Sequence, residues 1–222
     1  MPLPVLMAIL LGLSGLVVGQ ALAIVSVRLP GAGQTCFAPA SWLRLGASRR
    51  HVMFSLAAAG VGIWSAVNAP DWPIAVAGAV LGWQLLLVAD IDAEHFWLPD
   101  VLTLPLIGTG LIATGLPAHG PPWSQLIGAV LGFGLLWGLS WLYRVLRKRD
   151  GLGGGDPILF AGAGAWVGWT GLPAVFLTAC AVLLFGVLLR LLWRRPVRGE
   201  DRAPFGALLA IGVWLVWLYG GV

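Results

Sequence analysis

Charge is scarce in this chain. Only 10% of its 222 residues are Asp, Glu, Lys or Arg, against about 25% in an ordinary soluble domain. Lysine occurs once, at Lys148, and cysteine twice, at Cys36 and Cys180. With 59% hydrophobic residues, so few charged groups cannot cover a water-facing surface, which excludes a soluble globule. The two cysteines lie far apart, one of them in an apolar run, which excludes a disulfide framework and a CxxC metal site. The glycines of "GLGGGDP" (151–157) are followed by Asp-Pro and not by GK[ST], so they make no phosphate loop. They also follow a basic loop and not a strand, unlike a dinucleotide fingerprint. His51, His95 and His119 have no G-x-S-x-G near them, which removes a serine triad.

Long apolar runs fill the space that charge leaves. Mean hydropathy is +0.92, and the chain holds 13 Trp and 32 Gly. Tryptophan collects at membrane interfaces and glycine is frequent in membrane helices. The pattern predicts an all-α polytopic membrane protein forming a single domain over 1–222, with about eight spans. Runs of some 17–25 apolar residues place them near 3–27, 52–68, 72–89, 101–117, 123–143, 157–171, 172–192 and 204–220. The first run has no basic segment before it and reads as a span, not a cleaved signal peptide.

The basic residues orient these spans. With the N-terminus outside, the inside loops are 28–51, 90–100, 144–156 and 193–203. All 13 Lys and Arg residues fall in or at the margin of three of those loops, as cytoplasmic loops require. The net charge of +4 is therefore topogenic, and nucleic acid is not an expected partner. Eight of the nine acids fall on the same side, leaving Asp71 outside.

Two acidic groups stand out on that side. One is "DIDAEHFWLPD" (90–100), where the third span leaves the membrane, and the other is Asp156, where the sixth begins. Carboxylates at membrane depth are costly and default to a functional role. Asp150, Glu200 and Asp201 sit beside basic residues and read as solvated loop acids. Asp92 and Asp156 are flanked by apolar groups, Trp97 and Leu98 for one and residues 157–160 for the other. Two such acids on adjacent helix ends suggest an aspartic protease dyad. Like charges a few ångströms apart cannot both ionise, so the pair shares one proton. One carboxylate then activates water while the other protonates the scissile carbonyl or the leaving amine. The glycines before Asp156 let a peptide backbone come close. A metal site built from Asp90, Asp92, Glu94 and His95 is a weaker reading, since nothing resembles a closed zinc site.

Four blocks resemble the type IV prepilin peptidases, which are GxGD intramembrane aspartic proteases. "VGQALAIVSVRLP" (18–30) is similar to the first span running into R-L-P. "DIDAEHFWLPDVLTLPLIGTGL" (90–111) resembles the D-x-[DE]…LPD-x-LTLPL block. "GLGGGDPILFAGAGAWVGWTGLP" (151–173) resembles the GxGD…GAWLGW block, and "APFGALLAIGVW" (203–214) the final PFGPFLA span. The resemblance runs from the first span to the last. It places Asp92 and Asp156 at the two catalytic aspartates, with Glu94, Asp100, Gly153 and Gly155 as supporting positions.

The resemblance implies a multi-pass enzyme of the bacterial cytoplasmic (inner) membrane with its active site at the cytosolic membrane face. Its substrates are type IV prepilins or type II secretion pseudopilins, whose short basic leader it removes after a glycine; membrane lipid is its other partner. Proteolysis needs no cofactor. Many members also N-methylate the new N-terminus with S-adenosylmethionine. Zinc, held in the family by two CxxC pairs in the first cytosolic loop, is not expected, because that loop (28–51) is short and has Cys36 alone. Ile158 stands where the family often has lysine. The competing reading, a transporter or channel using the acids as a proton or cation relay, calls for acids deep in several spans and toward the outer side. A presenilin or signal-peptide-peptidase type of protease is disfavoured by the LPD-LTLPL and PFG blocks.

Overall fold

In the computed structural model the described residues are 3–29, 42–115, 122–148, 153–193 and 203–220, with the side chains of 42–48 not among them. They form seven α-helices and no strand: α1 (Leu3–Arg28), α2 (Trp42–Asn68), α3 (Trp72–His95), α4 (Asp100–Ala113), α5 (Pro122–Arg147), α6 (Asp156–Leu192) and α7 (Phe205–Tyr219). Five of these, α1, α2, α3, α5 and α6, are long and apolar enough to cross a membrane. The all-α polytopic membrane architecture expected from the sequence is the one found.

Helix α1 shows why the fold suits lipid. Its buried residues are Gly12, Gly15, Gly19, Ala23 and Ser26, while Leu3, Leu10, Leu13 and Val17 are all more than half exposed. A water-soluble helix does the opposite. Lipid tails are as apolar as leucine, so helices associate in a bilayer through close backbone approach and interhelical hydrogen bonds.

The helices form two compact units, Met1–Ile91 and Asp92–Val222. In the first, α1 lies against α2 through its glycines: a Cβ at Gly15 would stand 2.5 Å from the Ala58 carbonyl oxygen. Gln20 Nε2 donates to Ser55 Oγ at 2.7 Å. The α3 side is tied to α2 by Trp83 Nε1, which donates to the Ala58 carbonyl at 2.9 Å, and by Ser65 Oγ, which donates to that of Ala75 at 2.8 Å.

In the second unit α5 and α6 meet backbone to backbone, with Gly164 directly against the Gly128 carbonyl. Trp166 of α6, 1% exposed, links two further helices. Its Nε1 donates to the Leu106 carbonyl of α4 at 2.9 Å, and its ring meets Trp217 of α7 edge-on at 5.1 Å. Gly212 of α7 would place a Cβ 2.6 Å from the Val175 carbonyl oxygen.

Two boundaries differ from the sequence expectation. The third span was expected to end at 89, but α3 runs on to His95, so Asp90, Asp92 and Glu94 are helical and not in a loop. Hydropathy falls at the first acid, whereas helical hydrogen bonding does not. The sixth and seventh spans are two arms of α6, which breaks at Gly168 (φ 70°, ψ 174°) and not at residues 170–173. Counted as two arms, α6 brings the helical segments to the expected eight. Only glycine adopts that dihedral pair readily, and Ser124 Oγ occupies the space where a Cβ would stand, at 2.7 Å. Pro173 lies five residues on, continuing the second arm without an amide donor of its own. Helices α4 and α7, with 14 and 15 residues, reach only about 21–23 Å, short of a hydrocarbon core of about 30 Å.

The glycine seams carry a testable cost. Gly164→Ala drives a carbon into the Gly128 carbonyl and is expected to destabilise by about 2–3 kcal/mol or more. Gly138→Ala, which meets nothing within 4 Å, is expected to be neutral or to gain roughly 0.5–1 kcal/mol. Thermal unfolding of the two purified variants in detergent, compared with wild type, reads the contrast.

Candidate active site

The last turns of α3 sort its acids by helical phase. Residues two apart point about 200° apart around a helix axis, so Asp90 and Asp92 face opposite ways. Asp90 forms an ion pair with Arg50 of α2, whose guanidinium also lies 5.9 Å from the centre of the Phe54 ring. Both side chains of this pair are a quarter exposed, so it is a structural clasp partly screened by solvent. Asp92 turns inward and is 5% exposed.

Asp156 is 5% exposed as well, and among the described residues these two are the only charged groups that the fold buries. Each has one oxygen held by main chain. Asp92 Oδ2 accepts the Ala207 N–H of α7 at 2.9 Å. Asp156 Oδ2 accepts the Gly153 N–H at 3.1 Å, while the Asp156 N–H is directed back to the Gly153 carbonyl at 3.2 Å. This reciprocal pair closes the turn that starts α6, with Gly155 as its N-cap. Pro157 fits this turn without cost. It lies in the first turn, whose amides have no intrahelical partner to lose.

Leu98 joins the two acidic positions. Gly155 packs so tightly on it that a Cβ there would stand 2.6 Å from both Leu98 Cβ and its carbonyl oxygen. A Cβ at Gly206 would stand 2.6 Å from Leu98 Cδ1 and 3.0 Å from Asp92 Cγ and Oδ2. The chain reaches this position through Phe96, whose left-handed backbone (φ 51°) costs a non-glycine residue about 1–2 kcal/mol. Its N–H donates to the Asp92 carbonyl at 2.9 Å, closing α3 and turning Trp97 and Leu98 away from the helix axis. Leu98 thus packs against both the start of α6, which carries Asp156, and the first turn of α7, which holds Asp92.

The other expected site residues divide. Gly153 and Gly155 belong to the site, one by hydrogen bond and one by packing. Glu94 and Asp100 are exposed; Glu94 Oε2 lies 3.8 Å from His95 Nε2, and Asp100 opens α4 after Pro99. Among the described residues no three His, Cys, Asp or Glu side chains converge as a metal site requires; Cys36 and the loop around it lie outside them. Gly206 and Ala207 were not singled out from sequence, and Leu98 was named only as an apolar flank of Asp92, although the LPD and PFG blocks that contain them were the signal.

Two buried carboxylates, one at the end of α3 and one at the start of α6, make this the candidate active site. The model of the type IV leader peptidase family matches residues 79–189, which include both acids, and the chain belongs to that family. It is 40% identical over 152 residues to a prepilin leader peptidase/N-methyltransferase of Aeromonas salmonicida, covering 68% of this chain and 51% of that one. Against the Pseudomonas aeruginosa protein of the same name the identity is 41% over 148 residues, 65% and 50% of the two chains. With that of Aeromonas hydrophila it is 37% over 175 residues, 78% and 59%. The chain thus spans about half the length of the curated relatives it matches. No solved structure matches it significantly.

Adjacent glycines should behave differently. Gly154→Ala meets nothing within 4 Å, whereas Gly155→Ala collides with the Leu98 backbone. We expect Gly154→Ala to keep wild-type thermal stability and Gly155→Ala to lose about 1–3 kcal/mol, measured side by side in the same detergent.

Proposed function

We propose that this protein is an aspartic endopeptidase that removes the short basic leader from type IV prepilins or type II secretion pseudopilins, cutting after a glycine. The observation that carries this reading is the burial of Asp92 and Asp156, alone among the described charged residues, within the region that matches the family model. The names of the relatives support the substrate class.

The chemistry follows from the pair. One carboxylate, ionised, takes a proton from a water molecule as the water oxygen attacks the carbonyl carbon of the scissile glycine. The other, protonated, gives its proton to the carbonyl oxygen as the C=O π bond opens. Collapse of the tetrahedral intermediate re-forms the carbonyl, breaks the C–N bond and sends a proton to the leaving amine. Main-chain donors on Asp92 Oδ2 and Asp156 Oδ2 fix each carboxylate while its other oxygen serves water and proton. Gly153 and Gly154, both exposed, supply the side-chain-free approach for the substrate backbone. Glu94 and Asp100, both at the surface, keep the supporting role that the resemblance implies.

The distribution of Lys and Arg supports an N-terminus outside, this site at the cytosolic face and residence in the bacterial inner membrane. A proton-relay transporter finds less support, since among the described residues no other ionisable group is buried to continue a path from the pair. The relatives' names add N-methyltransferase. S-adenosylmethionine-dependent methylation is the second activity to test here, although the loop tied to it, with Cys36, lies largely outside the described residues.

Co-expression with a prepilin tests the assignment. Asp92→Asn and Asp156→Asn should each leave the leader attached while the variant accumulates in the membrane, and Asp90→Asn should process normally. Full processing by either dyad variant refutes the reading. Mass spectrometry of the mature N-terminus reads leader removal and a methyl group together.

A further inference from the structure

Asp92 is oriented by an element that lies more than a hundred residues away in the chain. The first turn of α7 seats directly on its carboxylate, and the Ala207 N–H donates to Oδ2 at 2.9 Å. That approach is possible only because residue 206 has no side chain. A first side-chain carbon there would lie 3.0 Å from both Cγ and Oδ2 of Asp92, and 2.6 Å from Leu98 Cδ1. Real Cβ atoms almost never come within 3.0 Å of another heavy atom, so something must move. The tip of Leu98 is the end of a flexible side chain and can yield. The Asp92 carboxyl group can yield as well, by rotating away from the amide that holds it.

We propose that Gly206 is a positioning residue for Asp92, the bare backbone that lets α7 hold one carboxylate oxygen and keep the other turned to the reaction. Gly206 does not touch the reacting atoms; it acts through Asp92. The proposal rests on the protease reading above. Its chemical content is that misplacing a catalytic group by a fraction of an ångström slows the chemical step while leaving substrate binding in place.

Gly206→Ala, assayed for leader removal from a purified prepilin in detergent, is expected to lower kcat at least tenfold with KM within about threefold. Gly186→Ala, which meets nothing within 4 Å, serves as the neutral comparison and is expected to match wild type. Relief of the Leu98 contact separates positioning from packing. The double variant Gly206→Ala/Leu98→Ala should remain at least tenfold below Leu98→Ala alone in kcat, because the contact with Asp92 persists. It also covers the case in which Gly206→Ala alone fails to fold. A folded Gly206→Ala with wild-type kcat, or a double variant equal to Leu98→Ala, overturns the positioning role and leaves the protease assignment standing. A wild-type chain no more active than Asp92→Asn overturns the protease assignment and the positioning role with it.

Discussion

The second unit turns on one constraint: two carboxylates are kept in an apolar interior, and among the described residues no other charged group is buried with them. A buried ion pair with lysine or arginine would be the common answer. Here main-chain amides hold the acids, that of Ala207 for Asp92 and that of Gly153 for Asp156. Amides carry no net charge, so they orient the acids without neutralising them. The proposed dyad, which would work by passing one proton, requires that distinction.

Main-chain donors can serve in this way only if main chain comes close, and that need explains much of the composition. Gly155 and Gly206 let two segments of backbone approach Leu98 and Asp92. The Gly128–Gly164 contact and the Trp166 hydrogen bond to the Leu106 carbonyl hold α4, α5 and α6 in a fixed arrangement behind them. The abundance of glycine that first marked a membrane protein is also what makes the site buildable.

The helical membrane architecture and the two buried acids were legible in the sequence because hydropathy and short motifs report on them directly. The D-x-[DE]…LPD and GxGD stretches led to Asp92 and Asp156. Less legible were features decided by helix phase and tertiary approach. Hydropathy ended the third span at the first acid, whereas α3 continues through all three and thereby separates Asp90 from Asp92. The sixth and seventh spans are fused except at Gly168, where a single left-handed dihedral makes the break; nothing in the residues distinguishes that glycine from its neighbours. Glu94 and Asp100, expected as supporting positions, lie at the surface. Gly206 and Ala207 became visible only when α7 was seen against α3's last turn.

The two-residue offset between Asp90 and Asp92 has a consequence for how this helix can evolve. Because the two acids serve opposite sides, the useful property is rotational phase and not merely the presence of acidic residues. Deleting one residue upstream within α3 would turn every later side chain by about 100° relative to the residues before the deletion. The length of α3 is therefore constrained separately from its packing, and only a change of nearly a whole pair of turns, about seven residues, would keep the phase.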